Sequence, residues 1–589
     1  GDLQAQAGGG ADVILAENKQ TRSTSNDVST YAMGVFGLET DSTELKYTGL
    51  YIHKGTKKAR IIYGFDPSDA QDIREDYLAF FERSLFNHQL NYSQLFDNGS
   101  TLDVRLANGK ATRDAPYERE IFYQDSSGVV GTSTPDSWLY DVNTGKNQTQ
   151  FSSVDDNDFN FGLDVSIPLE LETMDIELKA GIDYRDNNRD AEVRSFRFSP
   201  AGGPLPAEAL SQRADYIFAD QNFDPNRLLV IENTASSSPA GYEGMLETSA
   251  AYISMDALLS EQVRLSAGVR QENGKQEINT YDLFTGKDSI VEKTLDEDYA
   301  LPAFTLTYLP DGSENLQIRL GVSKTIARPT FRELSPTLFI DPDTDRVVAG
   351  SLYLENSEID NIDLRAEYYF DLNQFLTIGA FYKEIDKPIE ETVNEIGDLI
   401  VTTFQNVPKA ELSGFEFEYE RIFDGFESVW ASSKEFMLKV NYTFTDSEII
   451  IGSGDTYINS GGVVTSAASL LANGRDPRLQ GQAENIFNLQ FGYDDYSVNS
   501  QATVIVNYVD DRVRARGLDV LPDIIEQIPL TIDFVYSREM ELDSSMLKIS
   551  LEVRNLLNEE YEATMANSNI FYDQYELGTS ISLGFKLNF

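Results

Sequence analysis

The chain has no cysteine, two histidines, two tryptophans and only 47 basic residues against 97 acidic ones. Without cysteine there are no disulfides, no thiol catalysis and no cysteine-ligated metals, which suits a protein that crosses an oxidising compartment. His53 and His88 stand apart, with no second histidine at ligand spacing, so no transition-metal centre is expected. A formal charge of −50 excludes nucleic acid as a partner, because phosphate binding needs lysine and arginine to displace counterions. Such acidity repels itself at low ionic strength and is relieved by salt, which points to a marine or otherwise saline habitat. Mean hydropathy is −0.34. No apolar run approaches the roughly 18 residues of a membrane helix. That absence leaves barrels open, because a barrel strand gives only alternate residues to lipid. Nucleophile–base sets, phosphate-cradling glycine motifs and metal-protease spacings are also missing, and paired carboxylates say little in so acidic a chain. No enzyme is expected.

What the chain does have is a period of two. At the C-terminus Ile581, Leu583, Phe585, Leu587 and Phe589 alternate with Ser580, Ser582, Gly584, Lys586 and Asn588. Val263, Leu265, Ala267 and Val269 oppose Arg264, Ser266 and Arg270, and Leu547 to Arg554 alternates likewise. One face suits lipid and the other a polar interior. With 34 Phe and 30 Tyr, rings are available for interfacial girdles. Short polar turns, such as 39–43, 97–100, 172–174, 260–262, 310–313, 371–374, 494–497 and 541–544, separate paired strands. Longer polar segments, 125–157, 199–243, 327–357, 449–478, 512–526 and 557–574, join the pairs. Short turns at one end and long loops at the other are the polarity of an outer-membrane barrel. The expected fold is all-β, a transmembrane antiparallel barrel over 28–589 with about 19 strands present. Residues 1–27, Gly-rich and polar, read as an external loop or truncated N-terminal segment and lack the features of a signal peptide.

The sequence resembles the TonB-dependent outer-membrane receptors. The phrases that carry the likeness are Leu265 to Glu272, Ser323 to Leu334, Asn361 to Tyr369, Ile378 to Glu384, and Asn555 to Asn558 with Tyr561. The resemblance implies a barrel of the 22-stranded receptor type and a location in the cell outer membrane of a Gram-negative bacterium, amid lipid and lipopolysaccharide. It also implies a receptor for a scarce small-molecule nutrient, a carbohydrate or an iron-siderophore or cobalamin, driven by TonB through a plug. No plug is found here, so the chain reads as a receptor seen without its plug and its first three strands. A passive porin-like channel is the alternative. Ser582, Gly584, Leu587 and Phe589 resemble the signal read by the barrel-assembly machinery.

Loop aromatics and cations are the candidate ligand contacts: Tyr216, Phe218, Phe339, Tyr353, Tyr457, Arg328 and Arg332. Rings could stack on a sugar or catecholate, or pack loop against loop. At long range the chain's charge slightly favours neutral saccharides. Asp341, Asp343 and Asp345 alternate as hard oxygen ligands for calcium would, although Arg346 and Leu352 break the EF-hand pattern. No cofactor is expected.

Overall fold

The computed structural model describes the chain apart from residues 1, 8–12, 67–70, 128–136, 143–146, 172–173, 202–204, 206, 235–238, 283–285, 312–314, 341–345, 397–398, 425–433, 519–520, 543–544, 569 and 589. Nineteen long antiparallel strands make the wall. They are β1 Val13–Glu39, β2 Thr43–Asp66, β3 Gln71–Leu95, β4 Thr101–Asp125, β5 Gln148–Leu171 and β6 Met174–Pro200. There follow β7 Gly241–Ser260, β8 Val263–Asp282, β9 Gly286–Tyr308, β10 Leu316–Ala327, β11 Ser357–Asp371, β12 Gln374–Asp386 and β13 Lys409–Asp424. The last are β14 Lys434–Ile450, β15 Asn485–Asp495, β16 Ser500–Val509, β17 Thr531–Leu542, β18 Ser545–Arg554 and β19 Ser580–Asn588. Each pairs with the next, and three short strands, Asp2–Ala7, Trp138–Tyr140 and Leu228–Glu232, extend the same sheet.

Residues 1–27 were expected to be an external loop or a truncated N-terminal segment. From Val13 onward they are instead the upper part of β1, laddered to β2 from Asn18↔Phe65 downward, with Asp2–Ala7 paired on Val13–Lys19. The strand was missed because it stands clear of lipid, where nothing imposes an apolar face. A span needs about 9–11 residues. β1 to β6 have 24–27, so their outer halves rise as a polar wall above the membrane.

Register fixes the two faces. Phe304, Val322, Ile362 and Tyr382 lie side by side across β9–β12 and are outward and exposed. One position away, Gly321 and Asp363 face the lumen. Higher on the outward face Tyr51 and Phe86 meet at 4.6 Å, as a girdle ring pair would. Both histidines lie on this face: His88 Nδ1 is 2.8 Å from the Tyr47 hydroxyl, and His53 is 4.0 Å from Glu82.

Above the wall, loops build a second, eight-stranded sheet from Phe339–Ile340, Val347–Val348, Ile389–Ile396, Leu399–Asn406, Arg512–Gly517, Ile524–Gln527, Glu560–Met565 and Phe571–Glu576. Val393, Ala515, Ile524, Tyr561, Ala563, Met565 and Tyr572 form its core. This sheet caps the side where the wall is low.

Candidate ligand-binding vestibule

Two outer loops fold inward onto the polar face of the wall. After β10, Arg328 Nη1 reaches Glu272 Oε1 on β8 at 2.8 Å, and Gln276 donates to the Pro329 carbonyl at 2.7 Å. Thr330 and Glu333 then cap the single helical turn Phe331–Leu334 reciprocally. Phe331 lies on the bare backbone of Gly244, where a Cβ would stand 2.7 Å from the ring, and Gly274 leaves similar room for Arg328. Phe331, Leu334 and Leu354 join Ala191, Tyr242, Ile278 and Leu295 in a buried cluster on the inner wall. The loop after β14 does the same: Tyr457, Ala467, Leu470 and Leu479 pack with Ala410 and Ile449.

Below these loops the lumenal face carries a chain of alternating charges. Arg105 on β4 contacts Asp164 on β5 at 2.5 Å and Asp183 on β6 at 3.6 Å. Arg270 on β8 lies 3.6 Å from the same Asp183 and 3.0 Å from Glu272, which Arg328 closes from above. Tyr252 donates its hydroxyl to Asp164. The belt crosses five strands and gives a passing ligand both donors and acceptors.

A buried polar knot holds the cap. Arg516 donates to Glu390 Oε2 from Nη2 at 3.0 Å and to the carbonyls of Asp476 and Arg478, each at 2.8 Å. Asp523 Oδ2 lies 3.8 Å from Arg516 Nη1, and the Asp523 carboxylate accepts the Asp476 and Gly517 amides. Burial pushes the Glu390 and Asp523 carboxyls up from their ordinary range, against the pull of Arg516.

The residues anticipated from the sequence scatter. Phe218 sits on the outer face, 4.2 Å from Phe198 and 5.8 Å from Tyr140, with Arg119 over its ring; neighbouring Tyr216 is half-exposed. Arg328, Arg332, Phe339 and Tyr353 belong to the first inward loop. There Arg332 stacks 4.2 Å over Phe339 and donates to the Thr337 and Val348 carbonyls. Tyr353 stays 42% exposed, whereas Tyr457 is buried in the second loop's core. The structure thus places Arg328, Arg332, Phe339 and Tyr353 on one loop, sets Arg332 on Phe339, and leaves Tyr216 and Phe218 on another. Asp341, Asp343 and Asp345 lie outside the described residues, as does Phe589. Among the described residues no cluster of three or more acidic, histidine or cysteine side chains is arranged to hold a metal. Ser582, Gly584 and Leu587 pair with Glu552, Ser550 and Leu547 in β19. The belt was missed because its partners meet only through strand register. Arginine at a lumen-facing position, as in Arg270, was the available signal.

Comparison with known proteins agrees with this architecture. A family model described as TonB dependent receptor-like, beta-barrel, matches residues 19–520. No curated protein sequence matches. Among solved structures, the siderophore receptor PiuA from Acinetobacter baumannii superposes with a TM-score of 0.56 at 12% identity, over 97% of this chain and 79% of that one. The ferric-catecholate import receptor Fiu from E. coli K12 gives 0.54 at 12% identity, over 97% and 81%. The copper transporter OprC gives 0.54 at 12%, over 97% and 80%. At such identities these neighbours speak for the fold, while the family model covers most of the sequence: the chain belongs to the TonB-dependent receptor β-barrel family.

Proposed function

We propose that this chain is the membrane-spanning part of an active outer-membrane transporter that captures a scarce nutrient at its outer loops and passes it through the lumen when TonB acts on a plug. The observation that carries the reading is the inward folding of the loops after β10 and β14 above a charged lumenal belt. That arrangement makes a vestibule with a polar exit path, as capture followed by passage requires. Iron-siderophore, cobalamin and carbohydrate ligands all fit the family, and the neighbouring structures bear the names of siderophore and copper carriers. A passive porin fits less well, since family members move their ligands actively. Surrounding lipopolysaccharide and the barrel-assembly machinery complete the proposed partners, the latter reading the exposed apolar face of Ile581, Leu583 and Phe585 on β19.

The test is uptake in a gene-deletion strain, fed one limiting iron chelate, cobalamin or oligosaccharide at a time. Uptake of one class should fall on deletion and fall equally when TonB is removed. Uptake that survives loss of TonB, together with entry of unrelated solutes of the same size, would mean a porin.

A further inference from the structure

On the inner wall just above the Tyr51–Phe86 ring pair, strand register sets three cations in one row. Lys54 on β2 is the direct partner of Arg83 on β3, and Arg83 is the direct partner of Arg113 on β4. Neighbouring strands lie about 4.8 Å apart, so three like charges share a span of roughly 10 Å. Like charges directly opposite each other destabilise a sheet. In a chain with twice as many acids as bases, such a row is unexpected.

The ends of the row are partly neutralised: Lys54 lies 3.5 Å from Asp27, and Arg113 lies 3.5 Å from Glu118 and donates to Ser152 at 2.8 Å. The middle has only a distant counter-charge: among the described residues no carboxylate stands within ion-pair distance of Arg83, which is exposed, and Asp27, already paired with Lys54, acts on it at longer range. Arg83 lies instead against the buried ring of Phe81, with the Arg83 guanidinium 5.9 Å and the Arg113 guanidinium 5.0 Å from the centroid. Cation–π contact of this kind holds two guanidiniums near each other without discharging them. Elsewhere on the same wall Arg319 and Arg365 are also direct partners, but they share Glu367, and Arg365 reaches Glu418 at 3.2 Å. There the protein supplies its own counter-charge.

We propose that Lys54, Arg83 and Arg113 form an oxyanion site on the vestibule wall, and that the captured ligand carries clustered carboxylate or phosphate groups. A forked guanidinium flanked by two further cations matches such groups. The site faces the lumen, so the anion comes from a soluble molecule. This rests on the transport reading above and narrows its ligand class, away from the neutral saccharides that net charge alone favours. Local charge at a few ångströms outweighs a screened field over tens of ångströms.

The test is titration calorimetry on the full-length protein at low salt, with citrate and tripolyphosphate as probes. At least one should bind, more weakly as salt rises, and the stronger of the two identifies carboxylate or phosphate as the preferred group. Arg83→Gln should weaken binding by about tenfold or more, Lys54→Gln by less, and Arg83→Lys least. Arg264→Gln, in a lumenal pair with Asp256, should match wild type. Because Lys54→Gln reads the same row, a misfolded Arg83 variant leaves the test intact. No binding of either anion, or equal affinity in wild type and both glutamine variants, overturns the site. A deletion strain with undiminished uptake overturns the transport reading instead, whatever the anions do.

Discussion

Arg516 Nη2 lies 3.0 Å from Oε2 of Glu390, a residue 126 positions earlier, and both side chains are all but sealed from solvent. The pair ties two cap strands, Ile389–Ile396 and Arg512–Gly517, that come from different loops. Removing one partner of a buried pair leaves an uncompensated charge, which costs about 3–5 kcal/mol. Arg516→Met should therefore open the cap to protease while the membrane-spanning ladder stays protected. Arg516→Met combined with Glu390→Met should recover much of the loss. Equal resistance of wild type and the single variant would mean that the knot contributes nothing.

Acidity should act on the same knot. Because burial raises the Glu390 and Asp523 carboxyls, the closed cap holds their protons more tightly than the opened one. The associated stability is full below the ordinary carboxylate range and lost as pH rises through the raised values. Hydrogen exchange in Ile389–Ile396 and Arg512–Gly517, corrected for intrinsic rate, should slow as pH falls from neutral toward the ordinary carboxylate range. Glu390→Gln should flatten that dependence. Faster corrected exchange in acid would contradict it.

The seat of the first inward loop should be sensitive to a single methyl-bearing side chain. Gly244→Val fills the space against which Phe331 packs, so the loop must lift from the wall. Phe331→Ala removes the ring itself, at a cost of about 3 kcal/mol or more if the site cannot collapse. Both variants should expose Arg328 and Arg332 to trypsin and weaken ligand capture, and unchanged cleavage would show that the loop is held elsewhere.

Facing can be measured directly. Val269 is outward and 44% exposed, near the middle of the apolar band. Val269→Arg should cost about 2–4 kcal/mol of folding stability in lipid vesicles. Ser266→Ala, on the lumenal face of the same strand, should cost under about 1.5 kcal/mol. Equal costs would refute the assigned faces.

Much of this barrel was legible because lipid writes on the sequence. Within the bilayer every second residue must be apolar, so β8, β18 and β19 show their period, and the polar breaks at 260–262 and 371–374 fall where hairpins turn. Above the bilayer that constraint ends. The run from Asn18 to Asp27 has no alternation to read, yet it is strand because β2 pairs with it. The site was less legible for a related reason. Loop aromatics looked like ligand contacts, but Phe218 and Tyr457 serve the loops' own apolar clusters, where their large rings gain most from leaving water. Arg83 drew no attention because its oddity lies in what stands opposite, and opposition is a property of register.

The strands shorten around the circumference, from 24–27 residues in β1–β6 to 9–12 in β15–β19. At about 3.3 Å per residue, the wall descends as a spiral ramp. Its high side resists a protease or a pulling force with hydrogen-bond ladders continuous with the membrane-spanning part. Its low side relies on the cap, anchored by a few side chains around Arg516. The outer half should therefore come apart in a set order, roof first and ramp last, leaving the charged wall standing after its cover is gone.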